Sequence, residues 1–331
     1  MIPILENDLR KAIDEEIDSI FSDSAVAEHA AEHWIHSLHA FAKAGKKVRP
    51  LSLLLTVGCH NPRQTPTRQA IHLAACVELA HRSTLISDDV ADGHEVRNRR
   101  PTLVAIEGSK IAVFCAQLLQ AIAIEACAAE HRQRLNAAIY NTLLGQAKQE
   151  RFRFTTLEQA FNINLEVVTL KSSSLGAVAL EVGASLSGVP NASRIRTIGI
   201  ELGKAYQTCN DLSELADWAQ GTAHDLPSDI ANRTFSYPIL IALQMADLAG
   251  ASELRDYMTC RRSDLDPSSF KGWFAEDASC APAMRYINDS LSVALDCIDH
   301  MGGKSEYSAL FCRLVSETWK HLYLKGEVSD D

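Results

Sequence analysis

The sequence predicts an all-α fold: one large helical bundle, a single domain over residues 1–331. Three observations carry this. Segments such as RPLSLLLTVGCH, RQAIHLAACVELAHRSTLI, KIAVFCAQLLQAIAIEACAAEH and ASRIRTIGIELGKAYQTCNDL are too long and too rich in Ala and Leu for strands. No β-branched run of strand length alternates cleanly between turn signals. Several helices are apolar nearly all round, which suits the interior of a large bundle. Breaks fall near NPRQTP (61–66), GHEVRNRRPT (93–102), GVPNAS (188–193), AQGTAHDLPSD (219–229) and RRSDLDPSSFKG (261–272), and all are short. The reading is therefore about ten or more helices, without repeats or an interdomain linker.

Composition narrows the function. A chain of 331 residues, 47% hydrophobic and 22% charged, can bury a large core. Its 32 Lys and Arg against 42 Asp and Glu leave a net charge of −10, which argues against a nucleic-acid partner, since that would need a basic face. No apolar run approaches the ~20 residues of a membrane span. The start, MIPILENDLRKAIDEEIDSI, is amphipathic and acidic and does not read as a signal peptide. The nine cysteines are odd in number and form no CxxC pair, so they read as reduced core thiols of a cytoplasmic protein.

Two acidic clusters lie at the ends of apolar helices. In HRSTLISDDVADGHE, helical spacing puts Asp88 and Asp92 on one face with Asp89 beside them. Like charges at i and i+4 repel unless a cation sits between them, and Mg²⁺ commonly shares carboxylates with substrate phosphates. In AYQTCNDLSELAD, Asp211 and Glu214 share a face, with Asn210 adjacent and Gln207 one turn earlier. Either cluster alone also fits a solvated helix end. Together, and facing each other, they would cage several Mg²⁺ ions and one diphosphate.

A diphosphate also needs cations. Lys46 and Arg49 of GKKVRP, at i and i+3, fall on one face at a helix start, where the dipole favours an anion. His81 lies two turns before Asp88. The loop EVRNRRPT carries Arg97, Arg99 and Arg100. Lys171 stands inside an apolar helix, followed by three serines, and a buried charge without a partner is costly. That lysine reads as the receptor of a polyanion.

These residues together resemble the trans-isoprenyl diphosphate synthases, the family of farnesyl, geranylgeranyl and longer polyprenyl diphosphate synthases. The likeness runs from about residue 40 to 240: GKKVRP, VELAHRSTLISDDVAD, GQ at 145–146, LKSS at 170–173, GKAYQTCNDLSE and DIANRTFSYP follow in the family's order. It implies the isoprenoid synthase fold, helices around a central apolar cavity, and a homodimer. It further implies that Lys46, Arg49 and His81 bind isopentenyl diphosphate. Asp88 and Asp92 would ligate Mg²⁺ with support from Asp89; Asp211 and Glu214 would hold a further ion, for three Mg²⁺ with substrate bound. Arg97, Lys171, Ser172 and Gln207 would hold the allylic diphosphate (dimethylallyl, geranyl or farnesyl).

The chain departs from the family at several of these positions. Asn98 stands where a second arginine usually contacts isopentenyl diphosphate. Asn210 and Glu214 replace aspartates of the second motif. His224 and Arg233 stand where the family has lysines, and Ala116-Gln117 replaces a Gly-Asp pair. Arg99 or Arg100 can compensate for Asn98, and Glu214 can reach a metal as Asp does.

The implied chemistry is ionisation of the allylic diphosphate followed by attack of the isopentenyl double bond. Product length depends on residues four and five before Asp88, where bulky aromatics stop the family at farnesyl length. Here they are Thr84 and Ser83, with Ala80 a turn further down, so the expected product is geranylgeranyl diphosphate. Arg82 is read as pointing away from the chain tunnel. Two alternatives share the fold. A class I terpene cyclase is favoured by Asn210 but opposed by Glu214 and Trp218, where its pattern wants Ser and Glu. A non-catalytic subunit of a heteromeric synthase is opposed by the intact first motif.

Overall fold

The computed structural model describes residues 2–97, 100–154, 156–189, 193–223, 225–261, 264–301 and 305–323. Among them are fifteen α-helices: α1 Ile2–Asp23, α2 His33–Lys43, α3 Val48–His60, α4 Arg68–Asp92, α5 Leu103–Glu107, α6 Ser109–Ala126, α7 Ala129–Glu150, α8 Leu157–Val168, α9 Ser174–Leu186, α10 Ser193–Gln220, α11 Ser228–Ala231, α12 Tyr237–Leu248, α13 Glu253–Met258, α14 Ala281–Asp299 and α15 Glu306–Tyr323. The all-α expectation holds, with one small addition. Within the arginine-rich loop, β1 (Val96–Arg97) pairs antiparallel with β2 (Arg100–Pro101), Val96 opposite Pro101.

The chain forms two compact units. The first comprises Met1–Leu143, Ser174–Gly199 and Cys297–Leu314. Its centre is α4, which packs on α1, α3, α6 and α9. The helix starts where the Thr67 hydroxyl accepts the Ala70 N–H at 3.2 Å, a standard N-cap bond. It stops at Gly93, whose φ of +66° is the left-handed geometry that only glycine adopts without strain. Ala70, Leu73, Ala74, Ala75, Val77, Leu79 and Ala80 are buried around it, so the small side chains let several helices approach at once. In α3 every residue from Pro50 to Cys59 is buried, the all-round burial that its composition predicts.

His72 braces this unit. Its Nδ1 lies 2.7 Å from Glu16 Oε1 on α1 and its Nε2 lies 2.9 Å from the Ala126 carbonyl at the end of α6. Both partners offer acceptor oxygens, an arrangement that favours the doubly protonated ring. Burial works against that charge, but the Glu16 carboxylate and the Ala126 carbonyl overcome it and raise the pKa above its ordinary 6.5. A raised folded-state pKa stabilises most below the unfolded value and loses that contribution as pH rises through the folded value. His72→Gln should therefore lower the melting temperature most below pH 6.5, with the penalty shrinking as the buffer is raised to about pH 9. A penalty that grows with pH would rule out the charged brace.

The second unit comprises Leu144–Ser173, Ile200–Asp296 and Val315–Asp331. Its core joins Phe152, Phe235, Trp218, Leu240, Leu243, Tyr257, Phe270 and Phe274. Phe152 stacks on Phe235 with ring centroids 5.4 Å apart, and Asn164 Nδ2 donates to the Phe235 carbonyl at 3.1 Å. The aromatic cluster anchors α8, α10 and α12.

Two findings qualify the compositional reading. By length and composition alone, α6 and the continuous helical run 157–186 are each long and apolar enough to cross a membrane, contrary to the expectation that no run comes near that length. The run 157–186 is mostly buried in the fold, as a core helix is, whereas α6 leaves Ile111, Val113 and Phe114 exposed. The nine cysteines form no disulfide, and burial pushes the Cys59 thiol up to about 12 and the Cys115 thiol up to about 11.

Candidate active site

The first acidic cluster closes α4. Asp88 and Asp92 have side chains 18% and 22% exposed, while Asp89 between them is fully buried. The helical period explains the split, since Asp89 is turned about 100° from its neighbour. Arg97, in β1, reaches back to this helix end. Its Nε donates to Asp89 Oδ1 at 2.7 Å and its Nη2 to Asp88 Oδ2 at 3.1 Å. Burial keeps the Asp89 carboxyl above the usual carboxylate range even with Arg97 beside it. Asp89 thus anchors the arginine from within the fold, while Asp88 and Asp92 stay partly exposed.

The cations expected at the isopentenyl diphosphate site are arranged differently from the helical-face reading. Arg49 lies in the first turn of α3, but Lys46 precedes the helix, because Lys47 at the N-cap adopts a left-handed φ of +51°. Lys46 is exposed. Lys47 is buried and pairs with Asp14 Oδ1 at 2.9 Å. Arg49 Nη1 donates to His81 Nε2 at 2.8 Å. Burial first, then the guanidiniums of Arg49, Arg82 and Arg97, hold the His81 imidazole well below its usual range. His81 is therefore neutral, with its proton on Nδ1 and Nε2 accepting. Ser83 and Thr84 donate their hydroxyls to the Ala80 and His81 carbonyls of their own helix at 2.7 and 2.8 Å.

The second acidic cluster belongs to the other unit. Lys171 sits in a π-turn, Thr169–Ser173, set into the helical run between α8 and α9. The lysine does not lack a partner, since its Nζ donates to Gln149 Oε1 at 3.2 Å. Ser172 Oγ donates to Gln207 Oε1 at 2.6 Å, and Gln207 Nε2 donates to Asp211 Oδ1 at 2.7 Å. Ser172, Gln207 and Asp211 thus form one hydrogen-bonded array, with the Lys171 charge acting on Asp211. Two glycines let the π-turn fit. A Cβ on Gly145 of α7 would lie 2.5 Å from the Lys171 amide nitrogen, and one on Gly203 of α10 would lie 2.6 Å from Ser173 Cα. Gly145→Ala should therefore destabilise the fold by about 1–3 kcal/mol, the usual range for overpacking, and displace Lys171. Chemical denaturation measures the first effect. An alanine variant as stable as the parent would contradict the close approach.

Glu214 is engaged elsewhere. Its Oε1 accepts the Ser228 N–H at 3.0 Å and its Oε2 the Ser228 hydroxyl at 2.7 Å, so it clamps the start of α11. The acid beside Asp211 is instead Asp229, the next residue. Burial and then the Asp229 charge push Asp211 well above the usual carboxylate range. A neighbouring acid makes Asp211 hold its proton tightly, and a divalent cation would compete with that proton. Sequence reasoning did not assign Asp229 a site role, although it opens the quoted segment DIANRTFSYP. Arg233, with φ of +54°, donates Nε to the Tyr257 carbonyl at 3.0 Å and lies over the Tyr257 ring. Asn98, Arg99 and His224 lie outside the described residues.

The donors fit a hard cation. Asp88 and Asp92 offer two carboxylates from one helix face, and among the described residues no three His, Cys, Asp or Glu side chains converge on a metal position. Mg²⁺ is characteristically held by one or two carboxylates plus substrate phosphates, which suits this partial set.

An almost wholly helical architecture with carboxylates at the end of a buried helix fits the isoprenoid synthase fold. The solved structures agree: a decaprenyl diphosphate synthase from Rhodobacter capsulatus superposes with a TM-score of 0.79 at 20% identity, covering 97% of this chain and 99% of that one. A polyprenyl synthase from Caulobacter crescentus, complexed with calcium and isoprenyl diphosphate, gives 0.71 at 22% identity, covering 96% and 94%. At these identities the likeness establishes the fold. The polyprenyl synthetase family model matches residues 33–269, so the chain belongs to the polyprenyl synthetase family, the trans-prenyl diphosphate synthases. Among relatives, heptaprenyl diphosphate synthase component 2 from Geobacillus stearothermophilus is 26% identical over 252 residues, 73% of this chain and 75% of that one. A farnesyl diphosphate synthase from Mycobacterium bovis is 29% identical over 215 residues, 62% and 59%.

Proposed function

We propose that this chain condenses isopentenyl diphosphate with an allylic diphosphate in a Mg²⁺-dependent, head-to-tail elongation, with geranylgeranyl diphosphate as the product. The observation that carries the reading is the end of α4. There Asp88 and Asp92 keep an accessible carboxylate face, Asp89 is buried to hold Arg97, and His81 on the same helix binds Arg49 of α3. Mg²⁺, when bound, neutralises charge on the departing diphosphate. The chain's own residues do the rest. Asp88 and Asp92 hold the cation, and Arg97 presents its guanidinium to the allylic diphosphate from a fixed position. Lys46, with Arg49 oriented by neutral His81, binds isopentenyl diphosphate. In the other unit, Lys171, Ser172, Gln207 and Asp211 offer a second set of cationic and polar groups of the kind that binds a diphosphate and its metal. In this reading Glu214 serves as a clamp for Ser228, and Asp229 stands in as the second acid.

Relatives range from farnesyl to decaprenyl synthases by name, so product length rests on Ser83 and Thr84. Their hydroxyls are satisfied within α4, which leaves small, mostly apolar surfaces toward a growing chain. Ser83→Phe and Thr84→Phe should each shift the product at least one C5 unit shorter, read by mass spectrometry. An unchanged product in both would remove these residues from chain-length control.

The exposed apolar residues Ile111, Val113 and Phe114 of α6 support a second copy of the chain as partner. The heptaprenyl relative, a component by name, keeps a heteromer in view; light scattering on the pure chain separates a dimer from a lone subunit. The deciding experiment incubates the protein with Mg²⁺, isopentenyl diphosphate and, separately, dimethylallyl, geranyl and farnesyl diphosphates. Elongated diphosphates are expected. Hydrocarbons or alcohols formed without isopentenyl diphosphate would indicate a cyclase, and no turnover a non-catalytic subunit.

A further inference from the structure

Arg82 follows His81 on α4 and is only 8% exposed, an unusual position for a guanidinium. Its Nε and Nη2 both donate to the Phe41 carbonyl, at 2.9 and 2.7 Å. Its guanidinium carbon lies 4.3 Å from the centroid of the Phe41 ring. On another side is Gly45, where an added Cβ would come within 3.0 Å of Nη1. The guanidinium is therefore held between a ring, a carbonyl and a glycine backbone. The carbonyl lies in the last turn of α2, where the helix dipole favours a cation.

What this arrangement holds is the turn from α2 to α3. Gly45 has φ of +94° and Lys47 φ of +51°, so the backbone reverses sharply on both sides of Lys46. Lys47 is tied down by Asp14 and by the Lys43 carbonyl, and Arg10 donates to the Lys46 carbonyl. Lys46 alone leaves its side chain exposed. Below Arg82, Glu78 is 2% exposed, and Arg82, Lys47 and Arg49 all act on its carboxyl. Burial raises that carboxyl above its ordinary value in spite of these three cations.

We infer that Arg82 is a positioning residue for the isopentenyl diphosphate site: by gripping the Phe41 carbonyl and seating Gly45, it fixes the turn that presents Lys46 and Arg49. The inference rests on the elongation reading above. It distinguishes presentation from mere stability, because a loosened turn spoils one substrate's binding and spares the other's.

The test is isothermal titration of isopentenyl diphosphate into wild type, Arg82→Met and Arg82→Lys, with steady-state kinetics for both substrates. Arg82→Met is expected to raise Kd and KM for isopentenyl diphosphate about 10- to 100-fold, the range for residues that orient a binding group, with KM for the allylic diphosphate unchanged. Arg82→Lys should recover part of the loss, since it keeps the charge without the planar fork. Should Arg82→Met fail to fold, Gly45→Ala carries the same test, because its Cβ presses on Nη1 and its backbone is strained. Equal binding by wild type and the variants, or a rise in both KM values together, overturns the inference alone. A wild type that binds no isopentenyl diphosphate overturns the elongation reading itself.

Discussion

Asp88→Ala is expected to lower Mg²⁺-dependent prenyl transfer at least ~10²-fold, the loss typical of removing one preorganised electrostatic group. Asp88 is the better probe of the two accessible acids because its environment separates chemistry from stability. Its side chain is 18% exposed and its contact with Arg97 Nη2, at 3.1 Å, is the longer of that arginine's two bonds. The stronger bond, Nε to Asp89, survives the substitution. Folding stability should therefore change by no more than about 1 kcal/mol, as for other partly exposed pairs. The measurement is turnover as a function of Mg²⁺ concentration, alongside thermal denaturation. Unchanged rates at all Mg²⁺ concentrations would remove the metal assignment from this helix end.

The division between Asp88 and Asp89 marks where sequence reasoning works and where it stops. Helical spacing places Asp88 and Asp92 on one face from the sequence alone, and α4 obeys that spacing to its last turn. All-round apolar composition likewise accounts for the buried stretch Pro50–Cys59 of α3. The same logic fails where the backbone leaves the helix. Lys46 and Arg49 share a helical face only if Lys47 is helical, and Lys47 is left-handed. Lys171 is isolated only if no other helix offers it a partner, and Gln149 of α7 does. Long-range partners are a further limit. Nothing near Glu214 in the chain announces Ser228, fourteen residues on, and nothing near Arg82 announces Phe41, forty-one residues before it. A charge on an apolar stretch signals that a partner exists; only the fold says which one.

Arg97→Met should be the most destabilising substitution at the site, at about 3 kcal/mol. That is the lower end of the range for breaking a buried pair, because Arg97 itself is 30% exposed while Asp89 is not exposed at all. Asp89 Oδ1 accepts from Arg97 Nε, and Oδ2 is buried without a hydrogen-bond partner among the described residues. Removing the arginine leaves this carboxylate with neither water nor an opposing charge, so it must take a proton or force the loop open. The converse change differs: Asp89→Leu removes the buried acid and lets Arg97 turn toward solvent or Asp88. The double variant Arg97→Met/Asp89→Leu should then be more stable than Arg97→Met alone, which simple addition of two losses forbids. Denaturant unfolding of the four proteins measures this coupling. If the two losses add, Arg97 is held by something other than Asp89, and its role as a guanidinium fixed from beneath by a buried acid is lost.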